Sequence, residues 1–153
     1  MMLKAGVTFL ENDSEVIRVR GNEICFTGLD LDLGFYKKFD RPMMEEGYLD
    51  VILPEADPDR FNILLAHHPA FFEQYASWGA DLTLSGHTHG GLIRFPGIGS
   101  VISSDLTLFP EYDAGRFEED GHVMLVSRGL GTHTFHIRIN DRAQVLICDL
   151  YGS

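Results

Sequence analysis

Apolar positions along the chain fall into short runs separated by polar and glycine-rich stretches, a pattern of strands rather than of long helices. Val7 to Leu10 reads as one strand. Further on, Val16, Ile17 and Val19 precede a Gly21-Asn22 turn, and Ile24, Cys25 and Phe26 follow it, which predicts a hairpin. Leu33 to Pro58 is rich in charge, proline and glycine. It reads as a long surface excursion, with a short helix near Tyr36 to Phe39.

The stretch FNILLAHHPAFFEQYASWGADLTLSGH is the most informative. Ile63 to Ala66 is a continuous apolar run, as expected of a strand covered on both faces. Pro69 suits the first turn of a helix, because its ring is compatible with that position and its missing N–H is not needed there. Phe71, Phe72, Tyr75 and Trp78 follow at near-helical spacing, and Gly79 ends the run. Leu82 to Leu84 is a second short strand. A strand–helix–strand unit implies two parallel strands. After Gly91 the chain returns to β segments, clearest at Leu92 to Phe95, Val123 to Ser127 and Val145 to Leu150. Between the first two, Pro96 to Gly121 reads as a packed hairpin connection rather than a lid. There is no internal repeat.

Length and composition narrow the class. The chain of 153 residues suits one domain, with 44% hydrophobic and 23% charged residues. A formal net charge of -11 gives no electrostatic footprint for nucleic acid or for an anionic membrane. No apolar stretch approaches the roughly 20 residues of a membrane span. The start, MMLKAGVTFL, lacks the long apolar core of a signal peptide. Cys25 and Cys148 each sit in an apolar run and read as buried thiols of a reducing compartment, which makes a cytoplasmic location the default.

The candidate chemistry lies in the histidines. His67 falls just past the carboxyl end of the first parallel strand, and His87 just past that of the second. Ligands of open α/β sheets bind outside those ends. Neighbouring strands run about 4.8 Å apart, so two imidazoles at equivalent positions can share a metal ion. His89, one residue beyond Thr88, can turn to the same side, and Gly86, Gly90 and Gly91 permit positive φ and close backbone approach. His68 points the other way on strand geometry and reads as a support for the ligands or a substrate contact. His122, His133 and His136 have no comparable spacing and read as surface residues. Arg94, Arg128 and Arg138 are candidate phosphate contacts, with surface ion pairing as the simpler role.

LLAHHP followed by SGHTHGG resembles the last two signatures of the calcineurin-like metallophosphoesterase superfamily, an isolated histidine after a strand and a Gly-His-x-His turn. AGVTFLEND, FPGIGS, DLTLFPEYDAGRF and VSRGLGT resemble flanking segments of its bacterial branch, so the likeness covers nearly the whole chain. The resemblance implies an α/β (α+β) fold: the C-terminal half of a metallophosphoesterase β-sandwich flanked by helices, with residues 1–153 forming a partial domain. It implies hydrolysis of phosphate mono- or diesters at a two-metal site, with His67 and His87 on one ion and His89 on the other. The cofactors would be divalent ions, Mn, Fe, Zn, Mg or Ni. The first three signatures of the superfamily, which carry its carboxylate ligands and its proton donor, have no counterpart here. GNE at Gly21 to Glu23 lacks the required histidine, and GLDLD at Gly28 to Asp32 has the wrong spacing.

Several expectations follow. Two dications about 3.5–4 Å apart need carboxylates to offset their repulsion, and three neutral imidazoles supply none. The chain alone should therefore bind at most one ion, weakly, and be inactive, with no catalytic residue assigned within it. Half a sandwich leaves sheet surface uncovered, which predicts a homo-oligomer or pairing with a missing N-terminal half. The alternatives are a mononuclear zinc protein using His67, His87 and His89, and a non-catalytic oligomeric module.

Overall fold

The computed structural model describes residues 6–37, 40–95, 97–103, 107–131 and 138–151. The hairpin forms as β1 (Asp13–Val19) and β2 (Asn22–Leu29). Its two-residue loop is Arg20-Gly21, one position earlier than the sequence suggests. Both residues have positive φ, 52° and 89°, as the turn that matches the right-handed twist of paired strands requires. β3 (Phe61–Ala66) and β4 (Leu82–Ser85) flank the predicted helix, which divides into a 3-10 turn at Pro69–Phe71 and α2 (Phe72–Trp78). Gly79 caps α2 in the left-handed conformation at φ 111°. β5 (Ile93–Phe95) and β6 (Gly99–Ile102) form a separate two-stranded sheet, and β7 (Gly115–Glu119) pairs with β8 (His122–Val126). The fold is thus α+β, and between Pro96 and Gly121 the described residues supply β6, which pairs back on β5, and β7, which leads into β8.

The main sheet has the order β1-β2-β3-β4-β8-β7. β2, β3, β4 and β8 are parallel, and β1 and β7 close the edges antiparallel. Thr27, Leu64, Thr83 and Met124 lie in one row across it, all at most 1% exposed. That face is buried by α2 through Phe72, Tyr75 and Trp78 and by the segment between β2 and β3. The surface excursion expected there is wrong. A 3-10 helix (Leu33–Tyr36) and α1 (Tyr48–Ile52) put Phe35, Met44, Leu49 and Leu53 into the core. Charged residues dilute the apolar signal there, yet those four side chains suffice to seal the helix side. Burying each contributes about 1.5–3 kcal/mol relative to exposure.

Two further expectations fail. Val7 to Leu10 forms no strand, although Leu10 presses against Gly28 of β2. Val145 to Leu150 is not a strand. Val145 and Ile147 are 71% and 87% exposed, and Cys148 is exposed rather than buried. An apolar run alone does not make a strand where no ladder partner is at hand. Among the described residues no helix is long and apolar enough to cross a membrane.

The other face of the sheet, bearing Ile17, Phe61 and Leu65, is more open, with these three 38–40% exposed. Glu23, at the start of β2, bridges Arg18 and Arg60 at 2.6 and 2.9 Å.

Gly28→Ala should drive a Cβ into the backbone of Leu10 and cost roughly 1–3 kcal/mol in a urea melt, as overpacking does. Arg18, then Arg60, hold the Glu23 carboxyl below its usual range. A carboxylate with a lowered folded pKa stabilises above its unfolded pKa and loses that effect as pH falls through the folded value. Glu23→Gln should therefore lower the melting temperature at pH 7, and the gap to wild type should close on acidification below the ordinary Glu range.

Candidate metal centre

The parallel pair β3–β4 places the candidate residues. Ser85 Oγ donates to the Ala66 carbonyl at 2.6 Å, and Gly86 N–H donates to the His67 carbonyl at 3.1 Å. These bonds pin the two strand ends side by side. The His67 and His87 rings lie 5.3 Å apart between centroids, edge to face at 80°. Tyr36, from the 3-10 helix after β2, stands 6.2 Å from His67 and 5.4 Å from His87. Nothing in the sequence around Tyr36 signals this position, since only the fold of the charge-rich excursion brings it there.

His68 does not point away from His87, as strand alternation suggests. β3 ends at Ala66, so alternation stops before His68. The His68 ring packs 4.3 Å from that of His87, while its Nδ1 accepts from Ala70 N–H at 3.2 Å and caps the 3-10 turn. Its carbonyl accepts from the buried Tyr75 hydroxyl at 2.7 Å. Burial raises the Tyr75 pKa, keeping that hydroxyl a donor.

His89 turns to a different neighbourhood. Its ring lies beside Gly129 and Gly131, where an added Cβ would come within 3.8 and 3.9 Å of the imidazole. Its Nδ1 is 3.4 Å from Arg138 Nη2. Arg138 also donates to the carbonyls of Arg128 and Gly131. The two arginines share one carboxylate, Asp141, at 3.3 and 3.6 Å. Arg94 pairs with Asp113 at 2.7 Å. All three candidate arginines are thus ion-paired. His122 Nδ1 contacts the Ala80 carbonyl at 2.7 Å, a structural use, and His133 and His136 lie outside the described residues.

The turn is strained at both of its histidines. His87 and His89 themselves have φ of 63° and 50°, followed by Gly90 at 72° and Gly91 at 91°. Left-handed backbone at two non-glycine residues costs of order 1–3 kcal/mol each and clusters at functional sites. The sequence placed this freedom at the glycines alone. Thr88, between the histidines, fixes the turn by donating from Oγ1 to the Asp113 carbonyl at 2.7 Å.

The donor set suits a divalent transition ion in kind but not in number. His67 stays exposed on one side, and desolvation of the rest lowers its pKa, so its imidazole is neutral at pH 7 and offers a lone pair. Among the described residues no group of three or more His, Cys, Asp or Glu side chains converges to hold an ion. His67 and His87 can be two ligands of one ion, and no third ligand joins them among the described residues.

The chain is similar to several bacterial proteins. It is 31% identical over 149 residues to the uncharacterized protein YpbG of Bacillus subtilis, covering 96% of this chain and 49% of that protein. It is 35% identical over 102 residues to an uncharacterized metallophosphoesterase of Aquifex aeolicus, covering 66% of this chain and 37% of the relative. It is 30% identical over 148 residues to the phosphodiesterase YaeI of Escherichia coli, covering 95% and 48%. The chain spans half or less of the length of these curated relatives. No family profile and no solved structure matches it. Relatives that carry the names metallophosphoesterase and phosphodiesterase, at 30–35% identity, support the metallophosphoesterase superfamily for this chain.

Proposed function

We propose that this chain supplies the histidine part of a two-metal phosphoesterase centre that hydrolyses phosphate mono- or diesters, and that it is inactive by itself. The observation that carries the reading is the edge-to-face pair His67–His87 at adjacent carboxyl ends of parallel strands, 5.3 Å apart. The likeness to proteins named metallophosphoesterase and phosphodiesterase supports the reaction class and a need for divalent ions. His67 and His87 would hold one ion and His89 the other. Such ions, when bound, polarise the phosphoryl group and lower the pKa of a water ligand.

This chain's own residues do the rest. His67 presents a neutral lone pair from the end of β3, and His87 faces it from the end of β4. His68 fixes the His87 ring by packing on it and anchors the helix behind. Tyr36 walls the pair and excludes water from one side. The remaining ligands would be carboxylates supplied from outside this chain, by an N-terminal half of the kind the resemblance implies. The open sheet face at Ile17, Phe61 and Leu65 supports docking of that half, or of a second copy.

The isolated chain, stripped with chelator and reloaded with zinc or manganese, should retain at most one ion by elemental analysis. His67→Ala and His87→Ala should each weaken retention by about tenfold or more, while circular dichroism stays unchanged. The same preparation should leave bis-p-nitrophenyl phosphate uncleaved above background. Supplying the upstream half should restore both turnover and a second ion. A completed protein that holds no metal and cleaves no phosphoester would end this reading.

A further inference from the structure

Behind the GHTHGG turn, the β5–β6 hairpin and the segment after β8 border an open cleft of about 390 Å³. Arg94, Arg128, Asn140 and the Gly97–Gly99 turn line it. No carboxylate lines it among the described residues, although the chain's formal net charge is -11. Among the described residues Arg94 is held at one nitrogen and Arg128 at two. Arg94 Nη1 donates to Asp113 Oδ2 at 2.7 Å, and Asp113 is itself fixed by the N–H groups of Ser100 and Ala114, both at 2.6 Å. Arg128 donates from Nε to Gln144 Oε1 at 3.1 Å and from Nη1 to Asp141 Oδ1 at 3.3 Å. A guanidinium carries five N–H donors. Arg94 therefore keeps Nε and Nη2 unused among the described residues, and Arg128 keeps Nη2.

The charge count points the same way. Arg94 and Asp113 cancel. Arg128 and Arg138 share the single carboxylate of Asp141, whose side chain is 0% exposed, so this cluster keeps one net positive charge. Positive charge held in place, with donors to spare, is the requirement for binding an oxyanion. The glycine turn leaves room for it. Gly97 and Gly99 have φ of 81° and 93°, and nothing lies within 4 Å of where a Cβ on Gly97 would stand.

We propose that this cleft binds a phosphate oxyanion, gripped by Arg94 on the hairpin side and Arg128 on the other. The site is separate from the His67–His87 pair and needs no metal, so it stands or falls independently of the metal reading. Arg128 shares Asp141 with Arg138, which touches His89, so two ion pairs through Asp141 link an occupied cleft to the histidine turn.

The test titrates the whole chain, in chelator, with inorganic phosphate in one arm and phenyl phosphate in the other, following backbone amide shifts. Saturable shifts at Gly97, Gly99, Arg128 and Asn140 are expected, and Arg94→Gln or Arg128→Gln should each weaken binding about tenfold or more. Tighter binding of phenyl phosphate would assign the cleft to the esterified group, and tighter binding of inorganic phosphate to the released product. His87→Ala should leave both titrations unchanged. Should the glutamine variants fail to fold, Arg94→Lys keeps the charge without the fork and should still weaken binding. No saturable shift at those residues, or shifts that survive the arginine substitutions, would overturn the proposal.

Discussion

The parallel register of β3 with β4 is the constraint on which the candidate site depends. Leu64 opposite Thr83 and Leu65 opposite Leu84 bring the carboxyl ends level. The Ser85 and Gly86 bonds to the Ala66 and His67 carbonyls then hold the emerging loops together. Parallel strands cannot be joined by a tight turn, so the crossover through α2 is obligatory. The apolar face of α2 therefore serves two ends. It seals the core over Leu64 and Met124, and it forces His67 and His87 to leave the sheet at the same rim.

That arrangement was legible from the sequence because every part of it is local. An apolar run, a proline at a helix start, aromatic residues at helical spacing, a glycine stop and a second apolar run lie in one continuous stretch. The hairpin was equally readable, apart from a one-residue shift of its turn. Three misreadings share another origin. The excursion after β2 looked like a surface loop because Phe35, Met44, Leu49 and Leu53 are spaced irregularly among charges, and only tertiary contact reveals their use. Val145 to Leu150 looked like a strand because periodicity says nothing about whether a ladder partner exists. His68 was misdirected by extending strand alternation one residue too far.

At the candidate site, sequence spacing placed His67 and His87 at neighbouring strand ends but did not show how His87 and His89 divide. The His-x-His spacing brings His87 and His89 close along the chain, while two consecutive left-handed excursions send their rings to different surroundings. His87 joins His67, His68 and Tyr36, an aromatic setting. His89 meets guanidinium and backbone, a charged one. The difference arises from the path of the chain after β8, which carries Arg128, Arg138 and Asp141 against the turn, and no local pattern announces it.

The Tyr75 hydroxyl bond to the His68 carbonyl joins the deepest point of the core to the rim that carries the imidazoles. The helix cannot loosen without releasing the backbone on which His67 and His68 are mounted. The rim is therefore no independently folding loop grafted on a finished scaffold. It is tied to the interior through that bond, so the His68 ring signal should report on the packing of the helix beneath it.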